Sequence, residues 1–133
     1  MRGALVVVDS SAVVAILRGE DDADKLVGLA MEYERRVIST TTWLESAIVC
    51  EGKNPRGGEY FDQIVIALKL ELMPFTTAQA VVVREAFRKY GKGRQASAPL
   101  NFGDCFAYAL AKDLGAPLLF KGNDFAQTDI PAA

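Results

Sequence analysis

The sequence predicts an α/β domain in which a short parallel β-sheet is flanked by helices in a three-layer arrangement. Three observations carry that expectation. Residues 4–8 (Ala-Leu-Val-Val-Val) form a continuous apolar, β-branched run, as expected of a strand buried on both faces. Short apolar runs then alternate with stretches of helical periodicity along the whole chain. Finally, Gly, Pro and Asn punctuate the joins between them, and no repeat, linker or low-complexity tract divides the 133 residues, so one domain over 1–133 is expected.

Taken in order, Asp9-Ser10-Ser11 supplies N-cap chemistry after the first strand, and residues 12–17 read as a short helix ending near Gly19. Residues 21–35 read as a second helix, with Ala23, Leu26, Val27, Ala30 and Met31 on one face. Val37 and Ile38 make a brief second strand. A third helix starts at Thr41 or Thr42 and runs through Trp43, Leu44, Ala47, Ile48 and Val49, apolar enough to serve either core or interface. Residues 52–58 form a loop marked by Asn54-Pro55 and paired glycines, and 60–70 resume a helical pattern through Phe61, Ile64, Val65 and Leu68. Residues 71–75 read as a short strand that Pro74 assigns to an edge. Residues 76–90 form another helix with Ala80, Val83, Ala86 and Phe87 as its stripe. After a loop containing Gly91, Gly93 and Pro99, a helix over 102–114 is stopped by Gly115. Residues 116–120 form a last buried strand, and Lys121-Gly122-Asn123-Asp124 a turn.

Composition removes several function classes. At 50% hydrophobic and 24% charged the chain is globular rather than disordered. No apolar run approaches the roughly 20 residues that span a bilayer, and the apolar stretch near the start is too short for a signal peptide and stops at an acid. Cys50 and Cys105 each lie in a helical pattern without a pairing motif, which suits buried thiols in a reduced, cytoplasmic protein. Histidine is absent, so Ser-His-Asp chemistry and imidazole-bound zinc are excluded. Any catalysis falls to carboxylates, hydroxyls, lysines or a bound metal.

Four acids stand out by position. Asp9 follows the first strand and Asp124 the last, so both project toward one end of the sheet, where ligands bind in parallel α/β folds. Glu45 and Asp104 fall near the starts of helices. Each has a local alternative: Asp9 as an N-cap, Thr42-Trp43-Leu44-Glu45 as a capping box, Asp104 three residues after Asn101 as another, and Asp124 as a turn residue. Together, however, they are placed to converge on one pocket, because helices following parallel strands begin at the edge where those strands finish. Carboxylates so gathered repel one another and rise in pKa unless a divalent cation joins them. All-oxygen coordination selects Mg²⁺ or Mn²⁺ over zinc.

Competing carboxylate chemistries fit less well. A haloacid-dehalogenase-like phosphatase needs a second acid two residues after Asp9, where Ser11 stands, and a receiver domain needs an acid ending a middle strand, where Val37-Ile38-Ser39-Thr40 has none. Gly91-Lys92-Gly93-Arg94 lacks the spacing of a phosphate-binding loop. Net charge is only −2, but Arg84, Arg88, Lys89, Lys92 and Arg94 cluster against Glu85 alone. Such a stretch reads as a solvated helix face or, beside an acidic pocket, as a grip on a nucleic-acid backbone.

The segments Val8-Asp9-Ser10-Ser11-Ala12, Thr42-Trp43-Leu44-Glu45, Leu100-Asn101-Phe102-Gly103-Asp104-Cys105-Phe106-Ala107-Tyr108-Ala109-Leu110-Ala111 and Leu119-Phe120-Lys121-Gly122-Asn123-Asp124-Phe125 resemble the four motif regions of PIN domains. More narrowly they resemble those of VapC toxins from bacterial type II toxin–antitoxin systems, over essentially the whole chain and in order. The Asp104 segment is the most specific of the four. The resemblance implies a PIN-like fold, a homodimer, and endoribonuclease activity with Mg²⁺ or Mn²⁺. It implies Asp9, Glu45, Asp104 and Asp124 as catalytic acids, with Asp9, Asp104 and Asp124 as metal ligands. Ser10 or Thr42 would orient ligands or the scissile phosphate, and Asp129 would support the cluster. It also implies an RNA substrate and a VapB antitoxin, through which alone operator DNA would be bound. A PIN-like binding module with little catalysis, or a structure-specific DNA nuclease, are the alternatives.

Overall fold

A computed structural model describes residues 3–91, 100–126 and 128–133. Strand β1 (Gly3–Val8) is followed by α1 (Ser10–Arg18), α2 (Ala23–Met31), β2 (Tyr33–Ser39), α3 (Thr40–Lys53) and α4 (Gly57–Ala67). Then come β3 (Leu70–Met73), α5 (Thr77–Tyr90), α6 (Phe102–Leu114) and β4 (Leu118–Leu119). The strands form one four-stranded sheet in the order β3-β2-β1-β4, and every pairing is parallel. The fold class read from the sequence is therefore the one observed.

Strand periodicity divides the core in two. Val6 and Val8, with Ile38, face a core built on α1, α2, α3 and α4, while Val7, with Val37 and Leu118, faces one built on α5 and α6. Side chains of β1 are apolar on both sides because helices cover both sides, and Val6, Val7 and Val8 are wholly buried. Gly19 and Gly115 end α1 and α6 in the left-handed conformation, at φ 62° and φ 61°, where a side chain would be strained.

The second helix is shorter than the 21–35 expected from its apolar face. It stops at Met31, and residues 33–35 belong to β2, with Tyr33 opposite Gly3 and Arg35 opposite Leu5. The charged residues expected at the end of that helix, Glu34 and Arg35, belong to a strand that continues through Arg36. Arg35 pairs with Glu71 of β3 at 2.9 Å. Arg36 is buried and donates to the carbonyls of Leu68 at 2.6 Å, Tyr33 at 2.7 Å and Ala30 at 3.2 Å. One guanidinium thus ties β2 to the C-terminal ends of α2 and α4, where the last helix carbonyls lack the i+4 donors of the helix interior.

Other boundaries shift modestly. Helix α4 starts at Gly57, inside the expected loop, and ends at Ala67. The edge strand β3 ends at Met73, just before Pro74, at the margin of the sheet as expected. Strand β4 has only two residues, and its outer edge is met by the chain end: Leu118 N–H donates to Pro131 at 3.0 Å and Ala133 N–H to Leu118 at 2.9 Å. Among the described residues, no helix is long and apolar enough to cross a membrane. Both cysteines are free and buried.

Candidate active site

Because the strands run parallel, their C-terminal ends share one edge, and the four candidate acids approach it from four segments. Asp9 leaves β1 as the N-cap of α1. One of its oxygens accepts the Ser11 N–H at 3.0 Å, while the other, Oδ1, is buried with no hydrogen-bond partner. The capping and ligand readings of Asp9 are thus compatible, since the cap uses only one oxygen. Burial, opposed by the bonds from Ser11 and reinforced by the negative charge of Glu45, pushes the Asp9 carboxyl up from 3.8 to about 6.

Asp104 likewise does two things. It forms a capping box with Asn101, accepting the Asn101 N–H at 3.0 Å while the Asn101 side chain accepts the Asp104 N–H at 2.8 Å. Its carboxyl is nevertheless raised to about 7, first by burial and then by the charges of Asp9 and of Asp124, which also lies within hydrogen-bonding reach. Asp124 sits on the exposed turn after β4, which is pinned underneath by buried Phe125 packed on Phe120.

Glu45 does not close the capping box expected of Thr42-Trp43-Leu44-Glu45. Helix α3 begins at Thr40, so Thr42 is already inside the first turn and Glu45 a turn further on. Its carboxylate instead rests against the start of α6: a Cβ added to Gly103 would meet Glu45 Oε2 at 2.1 Å. Glycine at position 103 leaves the space into which Glu45 reaches. The structure therefore brings Asp9, Glu45, Asp104 and Asp124 to one place.

Among the described residues no group of three acidic or cysteine side chains is drawn tightly enough to hold an ion as it stands. The donor set still fits a hard divalent cation. It is all oxygen, it contains the partnerless Asp9 Oδ1, and two of its members are driven toward the protonated state by burial and by their neighbours. Thr42, also predicted, is buried with its hydroxyl oxygen unpartnered.

The remaining expectations divide. Asp129 is taken up elsewhere, its two oxygens engaged by the Tyr108 hydroxyl and the Lys112 ammonium, so it ties the C-terminal segment to α6 rather than joining the cluster. Ser10 opens α1 beside Asp9, but it is Ser11, which sequence reasoning passed over, that donates its N–H to the Asp9 carboxylate and accepts the Lys121 N–H on its hydroxyl. The signal was available, since the N–H two residues beyond an N-cap is a usual partner of the cap side chain. Arg84 and Arg88, one turn apart on α5, line an 850 Å³ cleft with Phe75, Phe87, Phe102 and Phe106. Phe102 directly precedes Gly103 and Asp104, which sets this largely apolar cleft with its two arginines beside the acids. Lys89 is exposed on the same helix. Lys92 and Arg94 lie outside the described residues.

Residues 6–131 match the PIN domain, and the chain belongs to that family. Within it, the chain is similar to ribonuclease VapC of Mycolicibacterium smegmatis, 46% identical over 96% of this chain and 98% of that protein. It is also 44% identical to ribonuclease VapC30 of Mycobacterium tuberculosis, over 94% of this chain and 95% of the relative. Among solved structures, M. tuberculosis VapC20, a sarcin-ricin loop cleaving toxin, shares the fold with a TM-score of 0.74 at 15% identity, covering 96% of this chain and 98% of that one. VapBC2 of Rickettsia felis, solved with a DNA fragment from its promoter, shares it with a TM-score of 0.71 at 17% identity, covering 97% of both chains.

Proposed function

We propose that the chain is the endoribonuclease toxin of a VapBC-type toxin–antitoxin pair, hydrolysing RNA phosphodiester bonds with Mg²⁺ or Mn²⁺ in the cytoplasm. The observation that carries this reading is the gathering of Asp9, Glu45, Asp104 and Asp124 at the C-terminal edge of the sheet, with Asp9 and Asp104 held toward the protonated state by burial and by neighbouring acids. Relatives named ribonuclease VapC, 39% to 46% identical over nearly the whole chain, support the substrate class.

Asp9, Asp104 and Asp124 would hold the cation. When bound, it supplies the Lewis acidity that makes water a competent nucleophile near neutral pH without histidine. Glu45, held in the gap above Gly103, orients the attacking water and accepts its proton on a carboxylate oxygen. The hydroxyls of Ser10 and Thr42 orient the scissile phosphate. Arg84, Arg88 and Lys89, with Lys92 and Arg94, grip the strand on either side through its phosphates. In-line attack then leaves 5′-phosphate and 3′-hydroxyl ends.

The partners follow from the same surfaces. Leu44, Ile48 and Phe102 are exposed at 52%, 60% and 65%, and they border a second apolar groove with Val49 and Phe106 beside Glu45. Of the two roles open to the third helix, this exposure favours an interface, and we assign it to a homodimer. A VapB-type antitoxin would block the acid cluster with its tail and carry the operator-binding activity.

Labelled RNA and DNA of one sequence, incubated with Mg²⁺, Mn²⁺ or EDTA, test the reading. RNA is expected to be cut to 5′-phosphate products only with metal, and DNA to survive. Cutting that persists in EDTA would overturn the carboxylate–metal mechanism, DNA cutting would move the activity to the other substrate, and binding without cutting would make the chain a binding module. Gly103→Ala gives a finer check. Its methyl displaces Glu45 without disturbing the backbone, so the melting temperature should hold while cleavage falls by roughly tenfold to a hundredfold, the scale of an ångström misplacement.

A further inference from the structure

The most exposed member of the acid cluster is Asp124. It stands on a turn that follows the two-residue strand β4. Phe125 anchors the far side of that turn in the core. What fixes the near side is a chain of polar contacts to the first acid. Ser11 donates its backbone N–H to the Asp9 carboxylate at 3.0 Å, and its hydroxyl oxygen accepts the Lys121 N–H at 3.0 Å. The two bonds use different atoms of Ser11, a backbone donor and a side-chain acceptor, so both coexist. The Asp9 N–H donates to Leu119 at 3.0 Å, which holds β1 and β4 in step up to the turn. The Lys121 side chain then reaches the link between α1 and α2, where its ammonium pairs with Glu20 and, at 3.1 Å, with Asp22. Arg18 lies 3.8 Å from Glu20 and completes the set of charges there.

We propose that Ser11 and Lys121 are positioning residues that act through Asp124: together they hold the turn of residues 121–124 against α1 so that the Asp124 carboxylate meets Asp9 and Asp104. The proposal rests on the reading of those acids as the metal site. It does not make the clamp a source of stability. The Lys121 pairs lie at the surface, where such pairs contribute about 1 kcal/mol or less. Their effect is on where a carboxylate stands, and partners that orient ligands change metal affinity by roughly tenfold to a hundredfold when removed.

Mn²⁺ affinity, measured by titration calorimetry or electron paramagnetic resonance on the intact chain, tests it without relying on cleavage. Lys121→Met and Ser11→Ala should each weaken Mn²⁺ binding about tenfold or more, with melting temperatures close to wild type. Lys121→Arg should restore most of the affinity. The decisive comparison is a double-mutant cycle: in an Asp124→Asn background, Lys121→Met should have no further effect, because the residue it positions is gone. Wild-type affinity in Lys121→Met, or losses that simply add in the double variant, would overturn the proposal. A wild-type chain that binds Mn²⁺ but cuts no RNA would overturn the ribonuclease reading alone and leave the clamp to be judged by its affinities.

Discussion

In metal-free buffer at pH 8, Asp104→Asn is expected to melt at a higher temperature than the wild type, while with Mg²⁺ or Mn²⁺ present its RNA cleavage falls about a thousandfold or more, a loss of ~4 kcal/mol in transition-state stabilisation. The two effects have one cause. In the folded chain Asp104 titrates near 7 and Asp9 near 6, against about 3.9 for an aspartate in the unfolded chain. Between those values the folded protein keeps protons that the unfolded protein releases. The stability these groups contribute is therefore full below about pH 4 and is lost as pH rises through 6 and 7. Asparagine carries no charge to repel Asp9 or Asp124, yet its side-chain oxygen can still accept the Asn101 N–H, so the capping box survives. On the proposed reading the same neutrality would weaken the metal site, and activity is expected to fall with it.

The measurement is a set of melting curves in EDTA from pH 5 to pH 8. The gap between Asp104→Asn and wild type should widen with pH, and roughly 3 °C is expected for each kcal/mol relieved in a domain of this size. Mn²⁺ should close or reverse the gap by stabilising the wild type alone. Ordinary acid-sensitive pairs do not obscure the result. Asp129 and Glu71 are held below their usual values by Lys112 and Arg35, so what they contribute is lost at the acid end as pH falls. Parallel curves for the two proteins across pH 5 to 8 would mean that Asp104 is not buried among other acids.

How far the sequence disclosed this site depends on which residues carry their meaning locally. The run at 4–8 predicted a strand buried on both faces because helix cover on both sides leaves no room for alternation, and that is where Val6, Val7 and Val8 lie. The acids at 9 and 124 were legible for a topological reason, since an acid just past a parallel strand can face only one edge. Glu45 was harder. Thr-x-x-Glu is a good capping signature, and only the start of α3 at Thr40 shows that the pattern does not sit at a helix start. What frees Glu45 for the cluster is a missing Cβ on another helix, at Gly103, and no local pattern encodes that relation. Asp129 misled in the opposite direction: it is an acid near the end of the chain, but its partners, Tyr108 and Lys112, lie on α6 and become its neighbours only when the chain folds back.

Arg36 is the plainest case of a residue whose role is invisible until the chain folds, and its replacement gives the largest expected loss of stability. Within Glu34-Arg35-Arg36 it looks like one more solvated charge. Its neighbour Arg35 is exposed and paired to Glu71, whereas Arg36 turns inward and donates to three carbonyls. Arg36→Met keeps much of the apolar stem but withdraws donors from carbonyls at the buried ends of α2 and α4, each of which costs about 1–3 kcal/mol when left unpaired. Some of those oxygens share other weak partners, as Ala30 does with the Glu32 N–H, so a net loss of about 2–4 kcal/mol is expected. In melting temperature that is on the order of 10 °C. Arg36→Lys should recover little of it, because a single ammonium cannot reproduce a planar fork that serves carbonyls from two helices and a strand. Mn²⁺ affinity of the folded fraction should not move, since β2 runs from Tyr33 toward Ser39 and Arg36 lies well before the end that adjoins the acids. A variant within 1 kcal/mol of wild type would show that solvent or a relaxed backbone satisfies those carbonyls as well as the guanidinium does. A variant that stays folded but loses Mn²⁺ would show that the position of β2, and with it the start of α3 and Glu45, is set by this one buried charge.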